Sequence, residues 1–130
     1  MLNGSLNVTS STFSGNSGAG SGAAILLAKG TTNITDSTFY DNVATNGHGA
    51  AVASGYWVVL NVYNSTFFNN TASNAGGAMS LGGTATITNS SIVGNTAGWG
   101  WGSGINLWCY IPHLAKQHHC QQQNHQLLHQ

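Results

Sequence analysis

Two Asp, six His, two Lys and two Cys are the ionisable side chains that a chain of 130 residues offers to catalysis, apart from tyrosine. Glycoside hydrolysis requires two carboxyl groups facing each other across the scissile bond, and only Asp36 and Asp41 are available. Asp36 stands at an expected bend in "TDST", and Asp41 follows "TFY" on the outward side. These positions suit a turn former and a solvated surface residue. Polysaccharide lyases need an acid cluster for Ca²⁺ and a strong base, yet the sequence contains no Arg and no Glu. A Ser-His-Asp set is compositionally available, with His48 in "NGHGAAV". No Gly-X-Ser-X-Gly in a strand-to-helix setting supplies a nucleophile elbow, however. His48 therefore reads as a surface turn residue, and the chain as a non-enzyme.

The remaining histidines gather in "WCYIPHLAKQHHCQQQNHQLLHQ". Cys109, Cys120, His113, His118 and His119 are zinc-ligand types, but their spacings match no finger pattern. Pro112 and the Gln-rich run mark 108–130 as a flexible tail outside the repeats, so neither a metal nor another cofactor is expected. Trp57 in "GYWVVL", with Trp99 and Trp101 in "GWGWG", is a candidate platform for stacking sugar rings, since Trp joins a wide apolar face to a polar edge. The competing reading has these residues covering loops or ends of the fold.

Composition narrows the partners. Lys29 and Lys116 are too few and too far apart for phosphate binding, which draws on clustered Lys and Arg, so nucleic acid is not expected. No apolar run reaches the roughly twenty residues that span a bilayer as a helix. The opening "MLNGSLNVTS" lacks the basic and apolar regions of a signal peptide. About two-fifths of the residues are hydrophobic and the net charge is zero, which is not the signature of disorder. Six Asn-X-Ser/Thr sequons, at Asn3, Asn7, Asn33, Asn64, Asn69 and Asn89, are glycosylation acceptors if the chain is secreted by a eukaryote. An Asn-, Ser- and Thr-rich sequence also generates such triplets by chance.

The elements come from repetition. "SSTFSGN", "DSTFYDN", "NSTFFNN" and "NSSIVGN" are four copies of one phrase. Their anchors, Phe13, Phe39, Phe67 and Ile92, are 26, 28 and 25 residues apart, and Asn16, Asn42, Asn70 and Asn95 keep the same steps. Five residues before each anchor stands Val8, Ile34, Val62 or Ile87. A Gly-rich turn follows each copy, then an apolar strand: "GAAILL", "GAAVAS", "GGAMSL", "GSGINL". Such a period indicates a stacked array, and Gly, Ser, Thr and Asn oppose helix. A separation of five cannot place both apolar residues on one face of a continuous strand. A bend near Ser10-Ser11, and at Asp36-Ser37, Asn64-Ser65 and Asn89-Ser90, restores both to the interior. One coil per repeat is a parallel β-helix over residues 1–107, with Phe and Val/Ile columns inside. Each Asn amide is expected to bond to the coil above or below. The column Thr12, Thr38, Thr66, Ser91 would present hydroxyls in a row.

"FSGN", "FYDN" and "FFNN", alternating with "GGAM"-type segments, resemble the Phe-X-X-Asn and Gly-Gly-Ala-Ile repeats of the polymorphic outer-membrane proteins. The resemblance spans residues 5–107 and implies an all-β, right-handed parallel β-helix of about four coils, displayed at the cell surface or secreted, with a role in adhesion. Glycans and cell-surface proteins are the partners it implies; adjoining coils, or other copies meeting at uncapped ends, are expected because a coil stack exposes unpaired backbone at its ends. The alternative function is a fragment of a carbohydrate-active β-helix enzyme whose catalytic coils lie outside this chain.

Overall fold

In a computed structural model of the chain, which describes residues 4–99 and 102–108, every strand runs parallel to its counterpart one coil away. The first coil holds β1 (Ser5–Thr9), β2 (Thr12–Ser14) and β3 (Ser17–Gly18). The second holds β4 (Ile25–Thr35), β5 (Thr38–Tyr40) and β6 (Val43–Ala44), and the third β7 (Val52–Tyr63), β8 (Thr66–Phe68) and β9 (Thr71–Ala72). The fourth comprises β10 (Met79–Leu81), β11 (Thr84–Thr88), β12 (Ser91–Val93) and β13 (Thr96–Ala97), and β14 (Ile105–Leu107) begins another. Three sheets result. The first contains β1, β4, β7, β10, β11 and β14; the second orders β2-β5-β8-β12; the third orders β3-β6-β9-β13. The expected parallel β-solenoid of about four coils is what the chain forms. Trp101, Asn3 and residues 109–130, with Cys109, Cys120, His113, His118 and His119, lie outside the described residues.

Column by column, like sits on like. Phe13, Phe39, Phe67 and Ile92 are in exact-partner register through β2, β5, β8 and β12. The three Phe rings stack face to face at centroid distances of 4.7 Å, the spacing of adjacent parallel strands. Val8, Ile34, Val62 and Ile87 form the second apolar column. Phe39, Phe67 and Ile34 are fully buried, whereas Phe13 at one end of the stack stays half-buried. At the third corner, where strands are two residues long, small residues fill the column: Ala44, Ala72 and Ala97 are buried there, and Gly18 holds the position in the first coil.

Three columns of bends close each coil. Ser10, Asp36, Asn64 and Asn89 hold φ between 49° and 55°, the bend expected between the two apolar columns. Gly15, Asp41, Asn69 and Gly94 form a second left-handed column between each Phe and its Asn. The third is all glycine: Gly22, Gly49, Gly76 and Gly102. At Gly49 (φ 58°) an added Cβ would collide with the Val52 carbonyl and lie 2.7 Å from the Ser80 nitrogen. That close approach explains why each apolar strand opens on glycine.

Polar columns satisfy the backbone that the bends expose. The Asn42 Nδ2 donates to Asn70 Oδ1 at 2.9 Å and to the Phe13 carbonyl at 3.1 Å. Asn70 repeats both bonds, to Asn95 Oδ1 and the Phe39 carbonyl. The backbone N–H groups of Asn16, Asn42 and Asn70 each donate to the next coil's Asn Oδ1. A serine column works in parallel: the N–H groups of Ser11, Ser37 and Ser65 donate to the hydroxyls of Ser37, Ser65 and Ser90. Asn42 and Asn70 are wholly buried, which is tolerable only because their amides are so fully bonded.

Candidate functional site

Asp36 and Asp41 flank the three-residue strand β5, each at a left-handed bend and each exposed. Asp36 Oδ1 accepts a hydrogen bond from Asn64 Nδ2 at 2.6 Å, one coil along. Both carboxylates therefore occupy bend positions that Ser, Asn or Gly fills in other coils. Among the described residues, no three His, Cys, Asp or Glu side chains gather.

His48 is more constrained than a surface turn residue. It is half-buried, its Nδ1 accepts from the Ala75 N–H at 3.3 Å, and its own N–H donates to Ser21 Oγ at 3.0 Å. Its ring meets Trp99 edge-on at 5.4 Å. The half-exposed Trp99 thus lies beyond β13 against a coil-closing loop. Trp57 sits elsewhere, within β7 in the first sheet, and is 71% exposed.

The display of Trp57 follows from coil length. Four residues, 55–58, separate Ser54 from Val59, against three between the paired positions Leu27 and Thr31 and two between Leu81 and Thr84. The surplus breaks the strict alternation of faces. Tyr56 and Trp57, consecutive in sequence, are consequently both exposed. Tyr56 packs edge-on against Trp108 at 4.6 Å. Beside this pair a groove of about 540 Å³ runs over the outer face of the first sheet, walled by Leu26, Leu27, Ala53, Ser54 and Trp108, with His48 and Asn106 at its margin. Sequence reasoning missed Tyr56 and Trp108 as partners. The register surplus in "SGYWVV" was the available signal for the first, and nothing local announced the second.

The second sheet carries two regular outward rows. Thr12, Thr38, Thr66 and Ser91 are paired in register, as expected of the hydroxyl column. Two residues along run Ser14, Tyr40, Phe68 and Val93. Tyr40 and Phe68 stack at 4.9 Å, and Val93 is half-exposed. A third ladder, on the first sheet, passes Asn33 Nδ2 to Asn7 Oδ1 and Asn61 Nδ2 to Asn33 Oδ1, each at 2.9 Å. These rows present neutral hydroxyl, amide and ring groups.

Residues 10–28 match the family model described as the Chlamydia polymorphic membrane protein repeat. The matched segment contains Phe13-X-X-Asn16 and the following Gly22-Ala-Ala-Ile25, one full alternation of the two motifs. Neither a curated protein nor a solved structure gives a significant match to the chain. The chain thus contains a polymorphic membrane protein-type repeat inside a parallel β-solenoid.

Proposed function

We propose that this chain is a non-enzymatic β-helix module of an outer-membrane, cell-surface or secreted protein, serving adhesion or an extracellular scaffold. The supporting observation is the matched repeat at residues 10–28, continued by the same Asn column through all four coils and by the Phe column, which ends in Ile92. Glycans are the proposed ligand class. Trp57 offers an exposed ring on a coil whose surrounding surface is neutral and hydrogen-bonding, and half-exposed Trp99 extends the same proposal beyond β13.

Incubating the purified chain with a glycan array, and assaying released reducing ends, tests both halves of this reading. Saturable retention on a subset of glycans, weakened roughly tenfold by Trp57→Ala as the loss of one stacked ring would do, is the expected result. Absence of retention on any glycan would overturn the adhesive role. Release of new reducing ends would overturn the non-enzymatic one and favour a carbohydrate-active β-helix.

A further inference from the structure

Beyond ligand binding, the two ends of the coil stack carry complementary hydrogen-bonding groups. Each interior coil uses one rule: the serine and asparagine N–H groups point toward the following coil and find its Ser Oγ and Asn Oδ1. Each coil also receives, at its Ser and Asn carbonyls, the N–H of the residue that follows the Ser or Asn one coil on. Thr38 donates to Ser11, Thr66 to Ser37 and Ser91 to Ser65; Val43 donates to Asn16, Thr71 to Asn42 and Thr96 to Asn70. At the last coil, the N–H groups of Ser90 and Asn95 find no acceptor among the described residues, nor do their carbonyls find donors. Asn95 Nδ2 keeps the bond to the Phe67 carbonyl and, lacking a following Asn, turns its second hydrogen to the Val93 carbonyl of its own coil. At the first coil the opposite set is open: Ser11 Oγ and Asn16 Oδ1 accept nothing among the described residues.

We infer that a second copy of this chain docks head to tail on the first, its opening coil continuing the solenoid beyond β11, β12 and β13. The register is fixed by the strands. One offset of 79 residues carries Ser5 of β1 to Thr84 of β11, Thr12 of β2 to Ser91 of β12, and Ser17 of β3 to Thr96 of β13. The same offset sets Ser11 opposite Ser90, Asn16 opposite Asn95, Val8 opposite Ile87 and half-buried Phe13 opposite Ile92. Every open donor then meets an open acceptor, the Phe and Val/Ile columns run on, and the strands remain parallel. Exposed strand edges of this kind are templates for pairing. Because the contact is heterologous and leaves the same two ends free after each addition, association is open-ended.

Thr12 and Ser91 are exposed positions brought side by side only at such a junction, and like charges placed directly opposite on neighbouring strands repel. Sedimentation of the full chain over a concentration series should give progressively larger species. The double variant T12K/S91K should weaken association by at least about tenfold at low salt, and T12K/S91E should restore it; high salt should erase the difference. Because T12K/S91E also replaces both side chains, its recovery, with an unchanged far-UV circular dichroism spectrum, separates repulsion from misfolding. A chain that stays monomeric at every concentration, as it would if residues 109–130 covered the end coil, overturns the inference. So does association indifferent to the charge pair.

Discussion

Asn70 makes four side-chain hydrogen bonds in a fully buried site: Oδ1 accepts from the N–H and Nδ2 of Asn42, and Nδ2 donates to the Phe39 carbonyl and Asn95 Oδ1. Asn70→Asp keeps the shape but turns both donors into acceptors facing oxygens. It should cost about 3 kcal/mol or more in urea unfolding, since unsatisfied buried polar groups cost roughly 1–3 kcal/mol each. Asn16→Asp, at the exposed end of the same column, should cost less than about 1 kcal/mol, because water replaces the lost partner. Backbone conformation supplies a second contrast. Asp41 holds φ 57°, which disfavours L-residues by roughly 1–2 kcal/mol. Asp41→Gly should leave the melting temperature unchanged or raised, whereas Asp41→Val should lower it. Gly49→Ala should be worse still, because the collision with the Val52 carbonyl adds to the same torsional strain. The asparagine ladder was legible from the 26-, 28- and 25-residue steps. The second bend column was not drawn from the sequence, although the residue preceding each repeat Asn (Gly15, Asp41, Asn69 or Gly94) is always a type that tolerates positive φ.

Within the elements, the Phe column is the thickest part of the core. Phe67→Ala should cost about 3–5 kcal/mol and Ile92→Val about 0.5–1.5 kcal/mol in the same urea measurement, because Phe67 is enclosed by coils on both sides and Ile92 by one. Phe39 and Phe67 are inward residues, and this was readable from their five-residue separation from Ile34 and Val62 with a bend between. The outward Tyr40–Phe68 stack follows from the alternation of strand faces, yet it becomes visible only once coil register is known. The first sheet differs from the short, separate strands that the apolar segments suggested. Its two interior strands, β4 and β7, run unbroken for 11 and 12 residues, while the fourth coil divides the same path into β10 and β11 around Gly82 and Gly83. Across "AKG" and "GYW" the two strands pair with each other through Lys29↔Trp57 and Gly30↔Val58, with the register shifting between Leu27 and Lys29. Local propensity at Gly30 argues against continuity, and its pairing with Val58 overrides it. The same surplus residues that lengthen β7 expose Trp57, so the candidate sugar contact is a consequence of coil length and not of the repeat itself.

At the scale of the molecule, each coil buries its apolar face only against the next, so stability resides in the interfaces between coils. The near absence of charge is consistent with this design. Stacking identical residues would set like charges directly over one another at about 4.8 Å, and Asn, Ser and Thr avoid that repulsion while supplying the ladders. Thermal unfolding should accordingly be a single cooperative transition that Phe67→Ala shifts as a whole. Parallel stacking was legible in the sequence because four copies kept their spacing. The candidate contact surface was not, because Trp57 and the groove beside Trp108 belong to departures from the repeat. The central claim is that coils are joined through side-chain acceptors in register. Residue-resolved amide hydrogen exchange by NMR tests it most directly. The N–H groups of Ser37, Asn42, Ser65 and Asn70 each donate to a side chain in the following coil and should exchange as slowly as the strand amides of Phe39 and Phe67. Exchange of these four at the rates of an unstructured chain would contradict the account.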